Sequence, residues 1–210
     1  MNSDDRQQIL KSGLFLWIFA VVGTGLVAVT ELSTRNAIID NERDVLLRNL
    51  NALLPADQLD NDITEDKITV PADALLGTTE PSHVYRARLG DEPVAAILSS
   101  IAPNGYSGRI HMLIGIYVDG SIAGVRVVKH AETPGLGDEI DIRKSDWVTG
   151  FDGKTLSSPE ASGWAVKRDG GEFDQFTGAT ITPRAVVAAV HRSLLYYQKN
   201  ADMLFHQNQP

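Results

Sequence analysis

Eighteen consecutive residues from Gly13 to Thr30, GLFLWIFAVVGTGLVAVT, carry no charge. As a helix they span roughly 27 Å, close to the roughly 30 Å hydrocarbon core of a bilayer, so the pattern predicts a membrane span. A cleaved signal peptide is the competing reading. The run is longer than a signal h-region, and no clean A-x-A site follows it before Glu31. Arg6 and Lys11 lie on one side and Arg35, Arg43 and Arg48 on the other, so the positive-inside count leaves orientation open. Ala20, Thr24 and Ala28 recur every fourth residue as a small-residue stripe of the kind that packs against another membrane helix.

Beyond the span, Ile39, Leu46, Leu50, Leu53 and Leu54 recur among charges between Thr34 and Leu54, which predicts an amphipathic helix ended by Pro55. Its polar face mixes acids and bases, so it is expected to pack on the domain or to continue the span outward rather than to lie on lipid. From Ala56 to Pro81 the chain is polar and interrupted by Pro71 and Gly77, predicting loop and short elements. Val84–Arg88 and Val94–Ser100 flank Gly90 and Asp91, and Ile110–Val118 and Ile122–His130 bracket Asp119-Gly120. Both read as hairpins, the second on the strong D-G signal. Trp147–Phe151 predicts a short helix, Trp164–Lys167 a strand and Pro183–Lys199 a final helix. The expected fold class is α+β, an antiparallel sheet with flanking helices behind one N-terminal transmembrane helix.

Composition narrows the chemistry. At 210 residues there is room for one domain and an anchor, and a net charge of -8 argues against a nucleic-acid partner. Cysteine is absent, which removes disulfides, iron-sulfur ligation and thiol redox chemistry. Electron transfer would therefore need a bound cofactor. His83, His111, His130, His191 and His206 show no metal-ligand spacing and read as structural or surface residues.

The segment Phe176 to Pro183, FTGATITP, places hydroxyls and a glycine just before the last helix. Thr182 is the expected N-cap and Pro183 the first helical residue. Gly178 lets backbone approach a ligand, and the free N–H groups of the helix start favour an anion beside Thr180. A plain capped loop reads the same way. Two upstream stretches add context: HAETPGLGDEI from His130 to Ile140, and WAVKRDGGEFDQFTGATITPRAVVAAV from Trp164 to Val190. ETPGLG alone is a tight loop and lacks the GxGxxG order of a dinucleotide fold.

With these motifs the chain resembles, over nearly its whole length, the G subunit of the Rnf-type electron transport complex, also called Rsx. It is more distantly similar to the C subunit of the sodium-pumping NADH:quinone reductase. The [ST]GAT motif of that family stands here as Thr177, Gly178, Ala179 and Thr180. The resemblance implies a covalent FMN, held by a phosphoester to Thr180, which would make the chain a phosphoprotein by chemistry. It further implies a flavin pocket to which Glu132, Thr133, Leu136 and Gly137 contribute ring contacts, with the turn Gly105, Tyr106, Ser107 and Gly108 nearby. Lys167 and Arg184 are candidates to neutralise the phosphodiester, and equally read as solvated surface.

A threonine hydroxyl is poorly nucleophilic without a base, and no histidine lies in the local motif. The resemblance supplies a separate magnesium-dependent flavin transferase as the maturation partner, and the other complex subunits as working partners. It also implies a bacterial inner-membrane protein crossing once, with 1–12 cytoplasmic, 13–30 spanning, 31–80 juxtamembrane and connecting, and 81–210 a periplasmic FMN-binding domain. The expected function is an electron relay within a translocase coupling ferredoxin and NAD to ion movement, not a complete enzyme, and no catalytic residue or metal site is assigned. A free-standing flavin reductase would instead need a substrate pocket beside the ring. A structural anchor would make FTGATITP only a cap.

Overall fold

The computed structural model describes residues 3–55 and 59–206. Two compact units emerge, 1–46 and 47–210. The described residues of the first lie within helix α1 (Ser3–Asn51). Its stretch Lys11–Arg35 is long and apolar enough to cross a membrane, and its side chains are exposed among the described residues, with Phe19 80% exposed. The hydroxyls of Thr30, Ser33 and Thr34 donate back to the carbonyls of Leu26, Val29 and Thr30 at 2.7–2.8 Å, which satisfies them without water. The amphipathic pattern after that apolar stretch continues the same helix as far as Asn51, with Leu53 and Leu54 in the turn beyond. Its residues 36–43 carry no described side chains.

The second unit is built on five antiparallel strands in sequence order: β1 (Lys67–Val70), β2 (Ser82–Leu89), β3 (Glu92–Gly105), β4 (Gly108–Tyr117) and β5 (Ile122–Lys129). Both expected hairpins form. Gly90 and Gly120 take φ of 62° and 85° in their turns, a conformation that L side chains rarely adopt. A third hairpin joins β3 to β4 through Tyr106 and Ser107, with Gly105 facing Gly108. One sheet face carries Ala96, Leu98, Ala102, Ile110, Met112, Ile114 and Ile116 into the main core beneath helix α2 (Ile181–His206). Ser193 of α2 donates to Ser100 of β3 at 2.8 Å, fixing the helix across the sheet. The opposite face is partly covered by Leu50, Leu53 and Leu54, all buried, from the end of α1 and the turn after it. Leu53 sits over Gly115 and Gly124, which face each other across β4 and β5.

Two local expectations are corrected. Trp164–Lys167 is not a strand: short 3-10 turns occupy Ala161–Gly163 and Lys167–Asp169, joined to the rest by a lone bridge from Val166 to Phe173. The apolar alternation is real, since Trp164 and Val166 are buried, but it points into an aromatic cluster instead of a ladder. Likewise α2 begins at Ile181, so Thr180 holds the position before the helix, and Thr182 and Pro183 lie inside its first turn. Pro183 still lacks nothing there, because the first four N–H groups of a helix have no partner within it.

Candidate functional site

The sheet ends, beyond β5, in a loop that turns back toward α2. Pro134 is followed by Gly135 at φ 75°, the order a type II turn requires, and the amides of Leu136 and Gly137 close on the Thr133 carbonyl at 3.1 Å. Asp138 accepts the Gly135 amide at 2.6 Å, holding the turn from below. Downstream, Asp141 is gripped by Arg143, whose Nε lies 3.0 Å from both carboxylate oxygens. That guanidinium hydrogen bond holds the Asp141 carboxyl below its usual range, against the opposing effect of burial.

The second wall is the loop into α2. Phe176 is buried against Trp147, ring centroids 5.1 Å apart, and the Trp147 indole donates to the Asp174 carbonyl at 2.8 Å. From this anchor Phe176 to Ala179 makes a turn closed by the Ala179 amide on the Phe176 carbonyl at 3.2 Å, with Gly178 at φ 82°. Thr177 stands exposed at the tip. Thr180 follows, half-buried, and its hydroxyl makes no hydrogen bond among the described residues.

Between these walls and the β3–β4 turn lies a cavity of about 350 Å³, lined by Tyr106, Glu132, Thr133, Leu136, Gly137, Gly178, Ala179, Thr180, Ile181 and Thr182. Nine of these ten were singled out in the sequence; Ile181 was not. Its place could have been found only by starting the helix two residues earlier. Tyr106, Leu136 and Ile181 are exposed and form an apolar rim. A larger hollow, about 540 Å³, lies elsewhere, between the β4–β5 turn and Tyr197 of α2.

Ser107 contributes its backbone amide to Glu132, not its exposed side chain to the cavity. Lys167 and Arg184 do not line the cavity. Lys167 pairs with Asp174 and Arg184 with Asp169, each at 2.6 Å, in exposed ion pairs away from the cavity lining. Acids close by in the same segment take the charges that an anionic ligand was expected to use. The N–H groups at the start of α2, which have no partner within the helix, favour an anion at the site.

The lining suits a planar, partly amphipathic group. Leu136, Ala179 and Ile181 offer apolar surface, Thr133 and Thr180 hydroxyls, and the open rim leaves part of a ligand in reach of solvent or a partner. FMN fits this description.

Comparison with known proteins follows the same division. Residues 105–195 match the FMN-binding domain model and residues 1–53 the RnfG N-terminal region model. The chain is 50% identical over 200 residues to the G subunit of the ion-translocating oxidoreductase complex of Pseudoalteromonas atlantica, covering 95% of this chain and 93% of that one. The protein of the same name from Pseudomonas aeruginosa is 48% identical over 204 residues, covering 97% and 95%. The one from Vibrio cholerae is 46% identical over 202 residues, covering 96% of each.

Proposed function

From the premise that this chain belongs to the G-subunit family of ion-translocating oxidoreductase complexes, we propose that it carries FMN covalently, through a phosphoester to Thr180, and relays electrons within such a complex. One observation carries this reading. A half-buried threonine hydroxyl with no hydrogen bond among the described residues stands at the edge of a flavin-sized cavity, directly before a helix start. Thr180 is an attachment point, not a catalytic nucleophile: His130, the nearest histidine in the loop motif, is turned to Asp141, with Nε2 at 3.9 Å, while its Nδ1 accepts the Glu132 amide. The base and metal that activate the threonine would come from a flavin transferase, which breaks the phosphoanhydride of FAD, joins its FMN phosphorus to the Thr180 oxygen and releases AMP.

Bound there, the flavin would supply one- and two-electron chemistry, tuned by the cavity's hydrogen bonds and burial. Leu136, Gly137 and Thr133 would hold the ring, Gly178 and the α2 amides the phosphate, and the Tyr106, Leu136 and Ile181 rim would face the partner that exchanges electrons. Residues 1–12 are assigned to the cytoplasm, 13–30 to a single span, 31–80 to a connecting region and 81–210 to a periplasmic FMN domain, in a bacterial inner membrane. The remaining subunits, on this reading, exchange electrons between ferredoxin and NAD.

Thr180→Val keeps the β-branched shape and deletes the hydroxyl. The variant is expected to fold and to lose all flavin fluorescence on a denaturing gel, with intact mass falling to that of the bare polypeptide. A valine variant that retains covalent flavin moves the attachment elsewhere, with Thr177 next in line.

A further inference from the structure

Glu132 is a buried carboxylate, 4% exposed, and among the described residues no cation pairs with it. Neutral donors hold it instead. The Ser107 amide donates to Oε1 at 3.0 Å, and the Thr182 hydroxyl donates to Oε2 at 2.5 Å. The two contacts reach across 25 and 50 residues, so one side chain ties the β3–β4 turn and the first turn of α2 to the loop that carries it.

The fit around the carboxylate is close. A Cβ on Gly137 would stand 2.8 Å from Oε2 and 3.0 Å from the Thr182 hydroxyl oxygen, and one on Gly105 would stand 2.8 Å from Oε1. Neither glycine has a positive φ. A Gly105 side chain would first meet the Gly108 carbonyl oxygen, at 2.4 Å, and also Ile110, but at Gly137 every atom that close belongs to Glu132 or Thr182. Gly137 is thus glycine because of this junction, not because of its backbone. The tied segments are the cavity's three walls, and Thr182 lies two residues beyond Thr180.

We infer that Glu132 is a positioning residue for flavin attachment: through Thr182 it fixes the first turn of α2, and with it the Thr180 hydroxyl, against the other two walls. This rests on the reading of Thr180 as the attachment site. Its hydrogen bonds point to protein, so it acts through Thr182 and not on the reacting atoms.

The test uses the full-length chain in detergent, first without flavin and then with transferase, FAD and magnesium. Thr182→Val removes the donor and keeps the shape, Thr182→Ser restores it, and Glu132→Gln turns one acceptor into a donor. In the unloaded chain, amide exchange at Ser107 and at 180–182 should speed up in Thr182→Val and Glu132→Gln while β4 and β5 stay protected. The kcat of FMN incorporation should fall about 10- to 100-fold with the KM for the chain unchanged, and Thr182→Ser should return it to near the parental value. Incorporation at the parental rate by Thr182→Val overturns the proposal. So does exchange that rises evenly through the sheet, or loss of fold in both Thr182→Val and Glu132→Gln, because either makes the junction a matter of global stability alone. A parental chain that takes no FMN, or takes it at another residue by peptide mapping, sinks the Thr180 reading instead and is told apart by that result.

Discussion

Asp141 shows how a single residue stiffens the site from outside it. Buried behind the glycine loop, it accepts the Arg143 backbone amide at 2.9 Å as well as the guanidinium. Its carboxyl is held below the usual value chiefly by the Arg143 side-chain hydrogen bond. A folded-state value below the unfolded one, about 3.9 for aspartate, means the stabilisation is fully present above that pH and is lost as pH falls through the lower folded value. Arg143 is 82% exposed, so solvent screens the pair and the expected worth is modest, about 1 kcal/mol. Asp141→Asn should therefore lower the melting temperature at pH 7, and its deficit should shrink as the pH is taken below about 4. A deficit that is the same at pH 3 and pH 7 would assign the effect to shape instead of charge. At this scale the sequence displayed the hydroxyls and glycines of FTGATITP and ETPGLG plainly, because their chemistry is local. It could not display the Glu132–Thr182 contact, which exists only once two distant turns meet, nor the acids that occupy Lys167 and Arg184.

Elements were legible where the turn chemistry was strong and uncertain where burial decided. Asp119-Gly120 and Gly90-Asp91 each announced a hairpin, since turn residues between two apolar runs have few other solutions, although Gly90-Asp91 is a two-residue loop and Asp119-Gly120 lies within a four-residue one. Trp164–Lys167 had the alternation of a strand, yet its apolar side chains serve an aromatic cluster in which Trp164 stacks on His191 at 5.2 Å. The α2 start moved because Thr182, a good cap by type, spends its hydroxyl on Glu132. Least visible was the seat for Leu53. Gly115 and Gly124 look like weak points in two strands, but their missing side chains make the slot into which Leu53 packs, while Arg126 donates to the Ala52 carbonyl at 2.8 Å. A Cβ on Gly124 would stand 3.1 Å from Leu53 Cδ2. Gly124→Val should overpack the slot and cost about 1–3 kcal/mol in thermal or denaturant unfolding. Adding Leu53→Ala should recover part of the loss, since the two residues touch and their effects should not add. Strictly additive losses would mean that Leu53 is not seated there in solution.

For the whole molecule, the consequence of an apolar helix joined to a separately compact unit is that the two are divisible. Every buried apolar residue of the second unit lies at Leu50 or later, so a chain cut to 47–210 keeps its core and the Leu53 seat. That version should express as a folded, soluble domain, colourless in a cytoplasm without flavin transferase and yellow when the transferase shares its compartment. Yellow colour that survives denaturation without the transferase would mean that the α2 start activates Thr180 unaided. In the full-length chain the order reverses, because the span decides which compartment the cavity meets. On the proposed topology, a short N-terminus inside and one span would place everything after it outside. Phosphatase and fluorescent-protein fusions after Pro210 should accordingly report the periplasm, the phosphatase active and the fluorescent protein dark. The flanking charges do not force this outcome, with Arg6 and Lys11 before the span and Arg35, Arg43 and Arg48 after it, so the measurement has real discriminating power. A cytoplasmic C-terminus would leave the flavin site intact but put its partners on the other side of the membrane, and the periplasmic relay would have to be abandoned.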